Sequence, residues 1–232
     1  MSKLVLLDID GTLIASDGTG RAAMEAALIE IFGTAGDIAT YRFGGRTDRD
    51  NVFTLLGAVG VPEEQIEAHF VRLGPLVAQG IERLVSSKQK IIRALPGALT
   101  LYDALHASSD TTIGVVTGNF RESAAAKMRA GGFDPVRVVA GAYGSESADR
   151  NQLPPLAVQR AFEATGLRFR GTDVVVIGDT VRDVRAGHAI GAKVITVLTG
   201  ADDYDALCDA GADLILDDLS DNGQVLEAIF TD

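Results

Sequence analysis

Short apolar runs alternate with longer helical patterns along most of this chain. Six runs rich in β-branched residues predict strands, and five stretches with helical periodicity lie after or between them. Several runs are apolar at every position, which is typical of strands buried between two layers of helices. The predicted strands are residues 4–7, 112–117, 136–140, 173–177, 193–198 and 213–216, and the predicted helices are residues 99–107, 121–130, 155–165, 181–190 and 201–210.

Strands that alternate with helices in this way predict a parallel sheet with right-handed crossover connections. Six predicted strands are too few for an eight-stranded barrel. We therefore expect an α/β fold with an open, doubly wound parallel sheet, as in Rossmann-like proteins.

One long segment departs from this alternation. Between residues 15 and 95 the sequence shows no convincing strand, only helical patterns at residues 21–32, 48–56 and 63–86. An all-helical segment placed directly after the first strand predicts a separate small helical cap domain. Pro96 and Gly97 mark the return to the sheet. The predicted division is a core of residues 1–14 and 96–232 and a cap of residues 15–95.

Composition narrows the class of protein. The 232 residues are 47% apolar, and no apolar run approaches the roughly 18 residues of a membrane span, so we expect no membrane partner. The net charge is −11 and the basic residues are scattered, which argues against a nucleic-acid surface. The chain enters a strand pattern at once, so we expect no secretory signal, and its only cysteine, Cys208, excludes an internal disulfide bond. Both features favour a cytoplasmic protein, but no pattern indicates its oligomeric state.

Two carboxylates, Asp8 and Asp10, lie directly after the first predicted strand and before Gly11. Like charges this close need a cation or a proton between them. Ligands of open α/β sheets bind at the carboxyl ends of the strands, so the polar residues at the other strand ends belong to the same candidate site. These residues are Thr117, Gly118, Asn119, Asp179 and Asp183, with Arg150 placed before a helix. The set suits phosphoryl chemistry, which needs an oxygen-bound cation, an oxygen nucleophile and donors for phosphate.

Some of these residues also have a structural interpretation. Asn119 with Glu122 reads as a helix N-cap, although a capped helix end can still present N–H groups to an anion. Thr180 and Asp183 form a potential capping box, so Asp183 is either a metal ligand or a capping residue. A calcium-binding EF-hand loop is excluded, because its required glycine and glutamate positions hold Leu13 and Thr19.

Together these segments resemble three motifs of the haloacid dehalogenase-like hydrolase superfamily. The resemblance covers the whole chain in motif order and strand-end placement, and the helical cap is similar to that of phosphoglycolate phosphatase-like members. The motifs are Asp8-Ile9-Asp10-Gly11-Thr12-Leu13, Thr117-Gly118-Asn119 and Gly178-Asp179-Thr180-Val181-Arg182-Asp183.

The resemblance implies a role for each motif. Asp8 would attack phosphorus and form an aspartyl-phosphate, while Asp10 would act as general acid and then as general base. Mg²⁺ would be held by Asp8, the Asp10 carbonyl group and Asp179, with Asp183 supporting them. Thr117 would bind phosphoryl oxygens together with the N–H groups that follow it, at Gly118 and Asn119.

One position departs from the superfamily pattern, and one loop has two interpretations. The superfamily usually has a lysine as its third motif, whereas Arg150 occupies the matching place here, with Lys127 as a weaker alternative. Arginine keeps the charge but presents a planar fork of donors. Arg46, in Phe43-Gly44-Gly45-Arg46-Thr47-Asp48, lies in a segment that resembles the substrate loop of such caps. The same segment also reads as a connecting loop in which Thr47 caps the next helix.

The function expected from this resemblance is Mg²⁺-dependent hydrolysis of a small phosphorylated metabolite, as in phosphoglycolate phosphatase-like proteins. The alternatives are a β-phosphoglucomutase-like phosphomutase, which would also use Asp10, or a binding module that has lost activity. A dehalogenase of the same fold has no use for an acid at Asp10, so the sequence argues against it. The residues leave the particular phosphate ester open.

Overall fold

A six-stranded parallel sheet forms the centre of the molecule in the computed structural model, which describes residues 2–231. The predicted α/β class is confirmed. The strands are β1 (Lys3–Leu7), β2 (Ile14–Ala15), β3 (Arg93–Ala94), β4 (Thr111–Thr117), β5 (Ala140–Tyr143), β6 (Val174–Gly178), β7 (Lys193–Val197) and β8 (Leu214–Leu216). The helices are α1 (Thr19–Phe32), α2 (Asp48–Gly57), α3 (Glu63–Ser86), α4 (Ala98–Ala107), α5 (Arg121–Ala130), α6 (Leu153–Thr165), α7 (Val181–His188), α8 (Tyr204–Asp209) and α9 (Asn222–Phe230).

The strand order places β1 at the centre of the sheet. The order is β5-β4-β1-β6-β7-β8. The strands β4 and β5 therefore extend the sheet on one side of β1, and β6, β7 and β8 extend it on the other side. In the parallel register, Leu7 at the end of β1 lies beside Val115 of β4 and Ile177 of β6. Open α/β sheets bind ligands where the strand order reverses, which here is the gap between β1 and β6. Asp8 and Asp179 directly follow these two strands.

Alternate residues of β1 enter two different hydrophobic cores. Val5 and Leu7 join the cluster shared with the inserted helices and with α4, α5 and α9. Leu4 and Leu6 join the cluster on the other face, with α6, α7 and α8. All four side chains are fully buried. Burial of both faces explains why the strand is apolar at every position.

The inserted segment contains α1, α2 and α3, and α3 packs against both α1 and α5. The sequence predicted no strand between residues 15 and 95, and this was wrong at its two ends. Strands β2 and β3 pair antiparallel there, with Ile14 opposite Ala94 and Ala15 opposite Arg93. The two chain connections to the insertion are thereby held side by side. The division into core and cap domains stays a prediction.

Three other assignments differ from the sequence prediction. The strand predicted at residues 136–140 begins only at Ala140, because Pro135–Arg137 forms a 3-10 turn. Pro135 fixes its own φ angle, and the Asp134 carboxylate accepts the backbone N–H of Val136. Helix α8 begins at Tyr204 rather than near residue 201, because Asp203 caps it. The sequence interpretation missed α9 entirely.

The longest helix, α3, has 24 residues and carries charged side chains along its length. Within residues 2–231, no helix combines the length and the apolar character that crossing a membrane requires.

Gly97 provides a test of how closely the core elements pack. It has a φ angle of 73° at the start of α4, and a Cβ there would overlap the Leu219 carbonyl group. We expect Gly97→Ala to lower the free energy of unfolding by about 1–2 kcal/mol from the left-handed backbone, and by about 1–3 kcal/mol more from the overlap. Urea denaturation measures both losses.

Gly33→Ala is the matched control, because Gly33 has a φ angle of 74° and no other heavy atom within 4 Å of the added Cβ. It should show the backbone cost alone, about 1–2 kcal/mol. Equal losses in the two variants would contradict the close approach at Gly97.

Candidate active site

The carboxyl edge of the sheet faces a cavity of about 470 Å³, which also has lining residues from the inserted helical segment. Asp8 follows β1, Thr117 ends β4 and Asp179 follows β6, and all three line this cavity. Arg150 reaches the same cavity from a 3-10 turn before α6. The structure therefore brings together residues that lie far apart in the sequence, as the sheet topology requires.

Asp8 is buried and has a different environment at each carboxylate oxygen. Its Oδ2 lies 3.1 Å from Nη2 of Arg150. Its Oδ1 is buried and has no hydrogen-bond partner within residues 2–231. Burial raises the pKa of Asp8 to about 7, against the opposing effect of Arg150. The orphan oxygen identifies Asp8 as a carboxylate that can accept a further ligand.

Asp179 supplies the second carboxylate at the reversal of strand order. Its Oδ1 accepts a hydrogen bond from Oγ1 of Thr12 at 3.2 Å, and its Oδ2 accepts one from the backbone N–H of Ala201 at 3.1 Å. Burial, with the nearby charges of Asp183 and Asp8, raises the pKa of Asp179 well above its usual value. The group is therefore a buried acid whose charge is only partly compensated.

Asp183 is the third residue of α7 and forms the capping box that the sequence suggested, with Thr180 as the N-cap. Its Oδ2 accepts hydrogen bonds from the hydroxyl and the backbone N–H of Thr180, at 2.7 and 3.0 Å. Its Oδ1 accepts two hydrogen bonds from Arg150, from Nη2 at 2.5 Å and from Nε at 3.1 Å. Both oxygens are thus engaged, which fits a capping and orienting role. Its predicted role as a metal ligand stays a prediction.

Arg150 is 6% exposed and links three parts of the site. Its guanidinium group contacts Asp8 and Asp183, and its Nη1 donates to the carbonyl oxygen of Gly45 in the inserted segment at 3.3 Å. Burial opposes its charge, but the two carboxylates outweigh this and raise the pKa of Arg150. The predicted position of the cation beside Asp8 agrees with this geometry.

Three donors surround Asp10. Its Oδ1 accepts a hydrogen bond from Oγ of Ser16 at 2.8 Å. Its Oδ2 accepts hydrogen bonds from Nδ2 of Asn119 at 2.8 Å and from Nζ of Lys127 at 2.6 Å. Although burial alone would raise it, these donors hold the pKa of Asp10 below its usual value, Lys127 above all. Asp8 and Asp10 thus pair with different cations, and the pKa of Asp8 is raised while the pKa of Asp10 is lowered.

The loop after β4 differs from the sequence prediction in one respect. Asn119 does not cap α5: the N-cap residue is Phe120, and Asn119 instead donates to Asp10 and to Oγ1 of Thr117, at 2.7 Å for the latter. The backbone N–H of Phe120 is accepted by Oδ2 of Asp48, at 2.8 Å. Asp48 belongs to α2, so a residue of the insertion binds the N-cap residue of a core helix.

Gly118 lies where the loop after β4 meets the inserted segment. Its carbonyl oxygen accepts the backbone N–H of Asp48 at 2.6 Å. A Cβ at Gly118 would overlap the carbonyl oxygen of Arg46, so only glycine allows this approach. The Gly118 and Asn119 side of the cavity is therefore built jointly by core and insertion.

Arg46 lines the cavity, and its Nη1 bonds to Oη of Tyr41 at 2.7 Å and to Oδ2 of Asp50 at 3.1 Å. The neighbouring Thr47 caps α2 by accepting the backbone N–H of Asp50, as one of the two interpretations of this loop predicted. Substrate binding by Arg46 stays a prediction.

Sequence reasoning missed two contributions to the site. The sequence indicates Lys127 only as an alternative to Arg150, whereas in the structure its ammonium group pairs with Asp10. The sequence does contain a signal for this buried lysine. Lys127 lies at helical spacing from Ser123 and Phe120, on the face of α5 that packs into the core. Asp48 was not singled out, because a contact between insertion and core leaves no local pattern.

The acidic groups present fit a hard divalent cation. One carboxylate oxygen from each of Asp8, Asp179 and Asp183 lies within 4.8 Å of the others, and all three residues are buried. Such cations prefer oxygen ligands. The partnerless Oδ1 of Asp8 supplies one available ligand atom in this cluster. The chemistry and the placement of these oxygens therefore agree with a metal site.

The fold and the carboxyl-edge site define an α/β protein with an acidic centre at the reversal of strand order. A family model described as haloacid dehalogenase-like hydrolase matches residues 5–188, and the chain belongs to this family. The resemblance seen in the sequence motifs is thereby confirmed. No curated protein has a sequence that matches the chain significantly.

Solved structures with the same fold include proteins of different description. A hydrolase from Pseudomonas syringae is 24% identical, with a TM-score of 0.67 and full coverage of both chains. A protein of Haemophilus somnus 129PT, described as a predicted phosphoglycolate phosphatase, is 19% identical, with a TM-score of 0.65 over 97% of this chain and 98% of that one. A protein of Bacteroides vulgatus with the name of a β-phosphoglucomutase is 20% identical, with a TM-score of 0.64 over 98% and 88% of the two chains. These likenesses support the fold.

The raised pKa of Asp8 predicts a specific pH dependence of stability. Its folded value of about 7 exceeds the ordinary 3.8, so the folded state binds more protons between these values and loses stability as pH rises. We expect Asp8→Asn to remove this component, so that wild type loses at least about 1 kcal/mol more than the variant between pH 5 and pH 8. Urea denaturation across this range measures the difference.

Asp110→Asn, which changes an exposed carboxyl at the opposite edge of the sheet, is the control for a general charge effect. Parallel pH curves for wild type and Asp8→Asn would contradict the raised pKa.

Proposed function

We propose that the protein hydrolyses phosphate monoesters of small metabolites through an aspartyl-phosphate formed on Asp8, with Mg²⁺ as cofactor. The observation that carries this proposal is the asymmetric environment of Asp8. One of its oxygens lies beside Arg150, while the other is buried just after strand β1 and has no hydrogen-bond partner in the part of the chain that the structure describes. The chain belongs to the haloacid dehalogenase-like hydrolases, and the proposal specifies a reaction within that family.

In the first half-reaction, a carboxylate oxygen of Asp8 attacks phosphorus and the bond from phosphorus to the leaving oxygen breaks. Asp10, in its protonated form, donates a proton to that oxygen, so that an alcohol leaves. Thr117 lies at the same sheet edge, and its hydroxyl can donate to a phosphoryl oxygen beside the N–H groups of Gly118 and Asn119. Arg150 offsets negative charge at Asp8 as the ester forms.

In the second half-reaction, water attacks the phosphorus of the aspartyl-phosphate. Asp10 accepts a proton from this water, the bond from phosphorus to Asp8 breaks, and inorganic phosphate leaves. The proton that Asp10 gains replaces the one it gave to the alcohol, so the cycle is balanced. Asp10 lines the same cavity as Asp8, so it can act as the acid in the first half-reaction and as the base in the second.

Mg²⁺ would be held by Asp8, Asp179 and the carbonyl group of Asp10, with Asp183 orienting Arg150 and the start of α7. When bound, the cation supplies positive charge for the phosphoryl oxygens and lowers the repulsion between phosphate and the carboxylates. The partnerless Oδ1 of Asp8 and the acidic cluster support this assignment.

The inserted segment contributes the remaining cavity wall, including Met24, Phe43, Arg46 and Val77. These side chains would contact the alcohol part of the substrate. A cavity of about 470 Å³ is large enough for a phosphorylated metabolite of several carbons. We propose that this wall selects the substrate, with Arg46 as its cationic member.

Phosphate release from a panel of monoesters tests the proposed function. The panel contains phosphoglycolate, sugar phosphates and nucleotides, each assayed with Mg²⁺ and with EDTA. We expect release that depends on Mg²⁺, and no release by Asp8→Asn, because the amide is a poor nucleophile. Analysis of products by ³¹P NMR separates hydrolysis, which yields inorganic phosphate, from a phosphomutase, which moves the phosphoryl group within the sugar.

Retention of substantial Mg²⁺-dependent activity by Asp8→Asn would exclude the covalent scheme. Binding of Mg²⁺ without release or transfer of phosphate from any ester would instead favour the inactive binding module.

Arg150→Ala tests the cation beside the nucleophile. We expect kcat to fall on the order of 10²-fold or more, because Arg150 offsets charge that develops at Asp8 and at phosphorus. Arg150→Lys should keep part of the activity, since it retains the charge but not the bidentate contact with Asp183. Steady-state kinetics on the best ester of the panel gives both values.

The control is Arg160→Ala. Arg160 also forms an ion pair, with Glu146, but it lies outside the residues that line the cavity. Its rate should match wild type. A wild-type rate for Arg150→Ala would show that the ion pair with Asp8 is not used in turnover.

A further inference from the structure

Lys127 is a buried cation that contacts two residues of the active site, Asp10 and Asn119. Its side chain is 8% exposed, and it lies on α5 within the core. Its Nζ is 2.6 Å from Oδ2 of Asp10 and 2.6 Å from Oδ1 of Asn119. Burying an ammonium group costs free energy unless the group is paired. Asp10 and Asn119 provide this pairing for Lys127.

Asn119 connects these groups into one network. Its amide oxygen accepts from Lys127, and its amide nitrogen donates to both Asp10 and Thr117. The acceptor and donor ends of the amide are therefore fixed by their partners. Lys127 holds Asp10 directly and also through Asn119, which leaves the carboxylate little freedom to rotate.

Space for the ammonium group is provided by the inserted segment. Gly20, in the first turn of α1, has no side chain, and a Cβ there would lie 2.9 Å from Nζ of Lys127. A Cβ at position 20 would force the end of the Lys127 side chain to shift. Three segments therefore meet at the ammonium group: the loop after β1, helix α5 and the start of α1.

We propose that Lys127 is the positioning residue of the general acid and base, Asp10, in a role separate from that of Arg150 at Asp8. This inference rests on the proposed function, because it concerns proton transfer in the two half-reactions. Lys127 neither gives nor takes a proton. It fixes the Asp10 carboxyl group where the proton passes first to the leaving oxygen and later from water to Asp10.

A comparison of two esters tests this role. Nitrophenolate leaves readily without a proton, whereas the alkoxide of β-glycerol phosphate needs one. For Lys127→Met, we expect kcat/KM with β-glycerol phosphate to fall about tenfold or more, and kcat/KM with p-nitrophenyl phosphate to fall much less. Lys127→Arg should recover part of the loss. An equal loss with both esters would overturn the proposal, since it would indicate a general structural effect.

A double-mutant cycle examines the second half-reaction. With p-nitrophenyl phosphate, kcat reports hydrolysis of the aspartyl-phosphate, which needs Asp10 as a base. If Lys127 acts through Asp10, Lys127→Met should lower kcat in the wild-type background and cause no further loss in the Asp10→Asn background. A full additional loss in the double variant would contradict the proposal.

Arg129→Met is the matched control on the same helix. Arg129 is an exposed residue that pairs with Glu82, away from Asp10. Its kinetics should match wild type with both esters. Thermal unfolding of each variant, followed by circular dichroism, establishes that the compared proteins are folded.

The two proposals fail in different ways. If the wild-type protein hydrolyses neither these esters nor any member of the larger panel, the proposed function fails. Crystal structures of the wild type and Lys127→Met then decide the positioning role. We expect the Asp10 carboxyl group to leave its contact with Asn119 in the variant. An unchanged Asp10 and Asn119 would overturn the inference about Lys127.

Discussion

The repulsion between buried carboxylates at the reversal of strand order is the constraint on which this structure depends. Asp8, Asp179 and Asp183 are each less than 10% exposed, and Asp10 lies beside them. Folding brings these acids together, so each must be paired, protonated or bound to a cation. The neighbouring groups meet this need unequally: Asp183 and Asp10 have several donors each, whereas Asp8 keeps a partnerless oxygen.

Cations from different parts of the chain divide this task. Arg150 contacts Asp8 and Asp183 from the turn before α6, and Lys127 contacts Asp10 from α5. Arg150 also contacts the carbonyl oxygen of Gly45 in the inserted segment. The position of the insertion is therefore coupled to the cation beside the proposed nucleophile. Movement of this segment would change the electrostatics at Asp8 as well as access to the cavity.

Much of the core fold followed from the sequence, because fully apolar strands and their acidic ends are local patterns. The positions of Asp8, Thr117 and Asp179 needed only the strand assignments and the rule that parallel strands share a carboxyl edge. The pairing of Lys127 with Asp10 was not predictable in this way, since it joins residues 117 positions apart through a helix face. The N-cap predicted at Asn119 was wrong for the same reason, because the Asn119 side chain binds the distant Asp10 and Phe120 is the N-cap residue instead.

Asp48 has a consequence for how such proteins can be recombined. From within the insertion it accepts the backbone N–H of Phe120, the N-cap residue of a core helix, and burial raises its pKa to about 6 despite this hydrogen bond. Removal of the insertion would therefore leave the backbone N–H of Phe120, at the start of α5, without this hydrogen bond beside the active site. The inserted segment could be exchanged between relatives to change the substrate preference. Such an exchange would have to transfer residues 45–49 of the insertion together with the loop after β4.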